Sequence, residues 1–98
     1  MRIVARSTLR MFWQRHPQAE MPLRAWFALA RQATWKGPAD VKRNFGANVD
    51  FRPRNRLIFD IAGNKYRLVV VALYRSGMLY VRFVGTHAEY DRIDVDRI

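Results

Sequence analysis

Apolar residues in the first half of the chain recur at the spacing of amphipathic helices, and those in the second half recur at every other position. Met1 to Ala5 alternates weakly around Ile3 and Val4, which predicts a short first strand. Ser7 or Thr8 can cap a helix carrying Leu9, Phe12, Trp13 and His16 at helical spacing, and Pro17 ends or interrupts it. A second amphipathic stretch follows Pro22, with Leu23, Trp26, Phe27 and Ala30 on one face and Arg24 and Arg31 elsewhere. Gly37-Pro38 punctuates the chain, and Pro38 at a first helical position, followed by Asp40, starts a short helix through Val41 and Phe45. Residues 46–55 (GANVDFRPRN) read as a loop.

The period then changes. Arg56–Ile61, Tyr66–Tyr74 and Met78–Val84 are short, β-branched and aromatic, and the tight-turn dipeptides Gly63-Asn64 and Ser76-Gly77 divide them. They predict a three-stranded antiparallel meander, with the helices laid on one face and the first strand completing the sheet. With two-residue turns, Phe59 faces Leu68, Leu57 faces Val70, Val70 faces Phe83 and Ala72 faces Val81. One sheet face is then wholly apolar: Leu57, Phe59, Ile61, Leu68, Val70, Ala72, Leu79, Val81 and Phe83. The helices should cover it. The other face carries Arg56, Asp60, Arg67 and Arg82 among Ile58, Val69, Val71 and Tyr80, with Asp60 opposite Arg67. A basic, partly apolar open face of this kind is a seat for RNA.

At 98 residues the chain makes one compact domain, an α/β protein of the α+β type. Half its residues are apolar, which supports a core without staples, and the absence of cysteine excludes disulfides and thiolate metal sites. Two histidines, His16 and His87, are too few for a histidine-rich metal cage. No apolar run approaches the ~18 residues of a membrane span. The arginine-bearing opening has no secretory apolar core, so a cytoplasmic location without membrane association is expected.

Charge narrows the class of partner. The net charge is +10, with fifteen arginines against three lysines. Residues 1–88 carry sixteen basic and four acidic side chains, a net of +12, while the last ten residues are net −2. So basic a body attracts a polyanion, and the guanidinium fork suits bidentate phosphate contact. A solubilising surplus is the plainer reading.

Cutting RNA without a metal needs a base for the 2′-hydroxyl, positive charge on the phosphate, and an acid for the leaving 5′-oxygen. The fragments GNKYR and THAEYD supply those types at one end of the sheet. His87, just past the last strand, is either a hydrogen-bonded surface histidine or a proton carrier, and Tyr90 and Asp91 follow it closely. Arg67 can hold a phosphate, pair with Asp60, or do both. Lys65 and Asn64 lie at the hairpin tip, Asn64 serving left-handed turn geometry. Arg52, Arg54 and Arg56 form an every-second-residue run suited to a phosphate backbone, or else a solvated loop. Trp13, Trp26, Trp35, Phe12 and Phe27 read as core, and Tyr90 is the better base-stacking candidate. There is no nucleotide-binding glycine loop, paired-carboxylate site or zinc spacing.

NRLIFDIAGNKYRLVV together with YVRFVGTHAEYDRID closely resembles the HigB-type toxin family, and ATWKGPADVKRNF and MRIVARSTLRMFWQRHP are similar to it as well. The resemblance implies a RelE-like fold. It also implies a metal- and cofactor-independent endoribonuclease that cuts mRNA in the A site of the 70S ribosome, by attack of a 2′-hydroxyl on its own phosphate. By similarity, Arg67 matches the central-strand arginine on the scissile phosphate, and His87 the catalytic position after the last strand. Tyr90 matches the aromatic residue that positions the base. Lys65 is carried over as phosphate-binding, and Arg82, on the basic sheet face, is a phosphate-binding candidate from the register alone. The implied partner is a HigA-like helix-turn-helix antitoxin, through which alone the toxin would reach operator DNA. Two other readings stand beside this one: a gyrase-inhibiting toxin similar to ParE on the same scaffold, and a non-catalytic RNA- or ribosome-binding module.

Overall fold

A computed structural model describes all 98 residues. Five strands form one sheet: β1 (Arg2–Val4), β2 (Val49–Arg52), β3 (Arg56–Ile61), β4 (Tyr66–Leu73) and β5 (Met78–Thr86). Their spatial order is β1-β5-β4-β3-β2, with β1 parallel to β5 and every other pairing antiparallel. Helices α1 (Arg6–Arg15), α2 (Glu20–Gln32) and α3 (Pro38–Phe45) precede the meander, and a single turn, α4 (His87–Tyr90), follows β5.

The helices pack where the period-2 reading places them. Leu57, Phe59, Ile61, Leu68, Val70, Ala72 and Leu79 form one buried cluster with Leu9, Phe12, Trp13, Leu23, Trp26, Ala30, Trp35 and Val41. All three tryptophans are core, with Trp26 edge-on to Phe59 at 5.3 Å. Helix starts differ in detail. The residue preceding α1 is Ala5 and makes no side-chain cap, so neither Ser7 nor Thr8 caps it. α2 begins at Glu20 rather than after Pro22. Pro22 is accommodated because the first turn of a helix has no partner for its N–H groups. α3 starts with Pro38 at its first position, as the sequence predicts.

Part of the stretch read as a loop is a strand. Val49, Phe51 and their neighbours pair with β3, Val49 opposite Phe59 and Arg52 opposite Arg56, and Val49 is fully buried. The charges around Phe51 hid this strand from the sequence reading. They belong on an edge strand, where they discourage further pairing. The β2–β3 connection is three residues long, with Arg54 and Asn55 left-handed.

The β3–β4 register is the predicted one, Leu57 opposite Val70 and Asp60 opposite Arg67. The positive backbone angles of that turn fall at Ala62 and Gly63, so Asn64 is not the left-handed residue. The β4–β5 register is corrected. Leu73 rather than Arg75 faces Met78, so Val70 pairs with Val81 and Ala72 with Leu79. A slip of two keeps those side chains on their expected faces. Between Val69–Phe83 and Val70–Val81 the strand bulges, leaving Arg82 as the extra residue. The one-residue offset exchanges the faces of the residues beyond it. Val84 packs against the core, and Phe83 leaves it for the opposite face.

Candidate active site

Arg67 lies in β4 on the face away from the helices, and its side chain is only 12% exposed. Each guanidinium nitrogen has an internal acceptor. Nε lies 3.3 Å from the Asp60 carboxylate, Nη2 donates to Asn64 Oδ1 at 2.6 Å, and Nη1 donates to the Tyr66 carbonyl at 3.3 Å. A guanidinium has five N–H groups, so one on each Nη stays free for a further anion. The geometry turns an otherwise flexible side chain into a fixed fork.

The β5–α4 junction brings the other residues to the same end of the sheet. Thr86 caps α4 through a reciprocal box with Glu89: the Glu89 N–H donates to the Thr86 hydroxyl at 3.1 Å, and the Thr86 N–H donates to the Glu89 carboxylate at 2.8 Å. That second bond holds the Glu89 carboxyl below its usual range. The His87 N–H donates to the Lys65 carbonyl at 3.0 Å, fastening α4 to the tip of the β3–β4 hairpin. His87 Nδ1 is 3.2 Å from an Asp91 carboxylate oxygen, one helical turn on, and the imidazole is 43% exposed. An Nδ1–H directed at Asp91 leaves Nε2 as the free basic nitrogen.

Tyr90 stands between the charges. Its ring centroid is 6.0 Å from Arg67 Cζ and 6.3 Å from the centroid of Phe83. Burial raises the Tyr90 hydroxyl above its ordinary value, and the positive fields of Arg52 and Arg67 oppose that rise. The phenol is therefore a neutral hydrogen-bond donor near pH 7. Gly85, opposite Arg67, is needed here. A Cβ at this position would come within 2.5 Å of the Phe83 ring.

The remaining candidates are spread more widely. Lys65 Nζ donates to Gln18 Oε1 at 2.8 Å, not to any group around Arg67. Arg82 is exposed at the bulge. Arg52, Arg54 and Arg56 all contact the C-terminal residues Asp96 and Ile98. Asn64 and Phe83 were missed as site residues. The first was read as turn geometry, and the second was placed on the core face by the unshifted register. The largest cleft, about 510 Å³ between α1 and α2, is lined by Arg6, Trp13, Arg24 and Phe27 among others. It lies on the helical layer and holds no candidate general acid or base, so the open sheet end remains the chemically equipped site.

Residues 19–93 match the family model for HigB toxins, the RelE-like toxic component of a toxin–antitoxin system. The chain belongs to the HigB toxin family. As the toxic half of such a pair, a HigB toxin has an antitoxin as its partner. The chain is 27% identical over 92 residues to the mRNA interferase toxin HigB of Escherichia coli K12, covering 93% of this chain and 88% of the relative. It is equally similar to the mRNA interferase HigB of Shigella flexneri. With the mRNA interferase HigB of Escherichia coli O6:H1, strain CFT073, it shares 20% identity over 95% of this chain and 91% of the relative. The matched span contains Arg67, His87 and Tyr90.

Proposed function

We propose that this HigB-family chain is an endoribonuclease that cuts mRNA, with Arg67, His87 and Tyr90 as its reacting and positioning groups. One observation carries the assignment: the anchored Arg67 guanidinium faces the Tyr90 ring at 6.0 Å, and His87 begins the same helical turn as Tyr90. The names of its relatives point the same way.

Arg67 holds a non-bridging oxygen of the scissile phosphate through its two uncommitted N–H groups and stabilises the charge that grows there. His87 Nε2 accepts the proton of the 2′-hydroxyl as that oxygen attacks phosphorus. The bond to the 5′-oxygen breaks, and that oxygen leaves with a proton supplied by protonated His87 or the Tyr90 hydroxyl. The products are a 2′,3′-cyclic phosphate and a 5′-hydroxyl. Tyr90 and Phe83 offer π-faces to the flanking base. Arg52, Arg54, Arg56 and Arg82 extend positive charge along the same open side, and Lys65 adds charge at the hairpin tip.

The expected setting is mRNA in the A site of the 70S ribosome, and the expected partner is a HigA-like helix-turn-helix antitoxin that carries the toxin to operator DNA. The test is to map and chemically type mRNA 5′ ends after brief induction of the toxin. Ends that track the reading frame and need phosphorylation before ligation are expected. Ends already bearing 5′-phosphate would rule out this chemistry. DNA-damage signalling before any fall in protein synthesis would indicate gyrase inhibition instead.

A further inference from the structure

The basic run that enters the β2–β3 hairpin is already occupied by the chain itself. Arg52 donates from Nε and Nη2 to the two carboxylate oxygens of Asp96, at 3.2 and 2.7 Å. Arg54 donates to the main-chain oxygen of Asp96, and Arg56 donates from Nε to that of Ile98 at 3.0 Å. One short segment therefore satisfies every arginine of a run whose spacing suits a nucleic-acid backbone. A carboxylate and a phosphate present a guanidinium with the same pair of acceptor oxygens. Asp96 stands where a phosphate would stand.

We propose that residues 94–98 are an internal competitor seated in a phosphate subsite made by Arg52, Arg54 and Arg56, and that RNA on its way to Arg67 displaces them. The proposal rests on the RNA-cutting reading above and adds a regulator to that site. Continuity of the surface supports it. Arg56 and Asp60 share one face of β3, four residues and roughly 13 Å apart, and Asp60 is paired with Arg67. Tyr90 lies within the fields of both Arg52 and Arg67.

The strength of the contact is right for exchange. The Arg52–Asp96 pair is 44% and 37% exposed, and exposed pairs of this kind are weak and easily screened. A polyphosphate that brings a full negative charge to each of the three arginines competes well against one side-chain carboxylate and two main-chain oxygens. The segment also lies beyond the residues matched by the family model, 19–93. Ile58 and Val69, on the same sheet face, are buried although they stand outside the main core. Deleting the segment risks uncovering them, and a point substitution is the cleaner probe.

The experiment measures equilibrium binding of the full chain to a labelled, fully 2′-O-methylated RNA oligomer that cannot be cut. Asp96→Asn is expected to tighten binding roughly two- to fivefold, the reach of one exposed ion pair. Arg52→Ala should weaken binding, and in its background Asp96→Asn should have a smaller effect. Unchanged or weaker binding by Asp96→Asn, with the wild type binding normally, overturns the competitor while leaving the nuclease reading intact. A wild type that does not bind the oligomer overturns the competitor, and the mapped mRNA 5′ ends judge the nuclease reading separately. A second measurement needs no variant. Titrating the oligomer into isotopically labelled wild type should move the amide signals of residues 94–98 to positions typical of unstructured chain, and their staying in place overturns the proposal.

Discussion

Asp60 and Arg67 face each other across β3 and β4, with the Asp60 carboxylate 3.3 Å from Arg67 Nε. Together with Asn64 and the Tyr66 carbonyl, this contact fixes the guanidinium plane before any substrate arrives. Preorganisation of that kind makes a charged group effective, because nothing has to reorient as charge develops. Replacing Arg67 by Ala is expected to lower single-turnover mRNA cleavage by about 2–4 kcal/mol of transition-state stabilisation. Arg67→Lys should recover little, since a lysine cannot meet Asp60, Asn64 and a phosphate with one planar fork. Full activity in either variant would place the phosphate site elsewhere.

Asp60→Asn tests positioning apart from contact. The substitution weakens the charged anchor and leaves the N–H groups offered to substrate in place. Cleavage should fall roughly 10- to 100-fold, as a loosely held catalytic group would give. Its binding to an uncleavable RNA should change little. A variant that loses affinity and rate together would mean that Asp60 shapes the binding surface instead.

His87→Ala should relieve growth arrest while ribosome association persists, because the imidazole is a surface group whose removal leaves no cavity. Asp91→Asn removes the carboxylate that orients Nδ1. It should leave cleavage detectable but slower, because the imidazole is no longer held in one orientation. Continued toxicity of His87→Ala would make binding, rather than chemistry, the cause of arrest.

Gly85→Ala brings a methyl group within 2.5 Å of the Phe83 ring. The ring must swing away from its place beside Tyr90. A loss of about 1–3 kcal/mol in chemical denaturation is expected from the overpacking, with cleavage falling further than folding does. Wild-type stability in this variant would show that the ring has room to spare.

The Glu89 carboxyl is held below its usual range chiefly by the Thr86 N–H. A group whose folded-state pKa is depressed contributes stability above its unfolded pKa, about 4.3 for glutamate, and loses it as pH falls through the folded value. Melting temperatures of wild type and Glu89→Gln should therefore differ at pH 7 and converge on acidification below about pH 4. Thr86→Ala should cost about 1 kcal/mol, the worth of a helix cap. A Glu89→Gln difference independent of pH would remove the ionised box from the account.

Periodicity located the helical layer and most of the apolar sheet face, because burial on one side of a strand leaves a two-residue signature, and the tight turn at Gly63-Asn64 then set Asp60 opposite Arg67. It failed at Arg82. A bulge adds a residue without altering composition, so a continuous run such as MLYVRFV cannot reveal where its faces exchange. β2 was hidden for a related reason: an edge strand is free to carry the charges that mark a loop. The seating of Asp96 on Arg52 joins residues 44 positions apart, and no local pattern announces such a contact. His87, Tyr90 and Asp91 were legible as candidates because they stand close together in the sequence just past the last strand. The role of Asn64 was not, since an asparagine at a turn is ordinarily explained by the turn.

The extra residue at Arg82 shifts the alternation of β5 by one, so that Val84 follows Val81 inward and Phe83 stands outward beside Tyr90. Loss of that single codon would set the Val81–Val70 and Phe83–Val69 pairs side by side, making the ladder regular while leaving the aromatic ring outward.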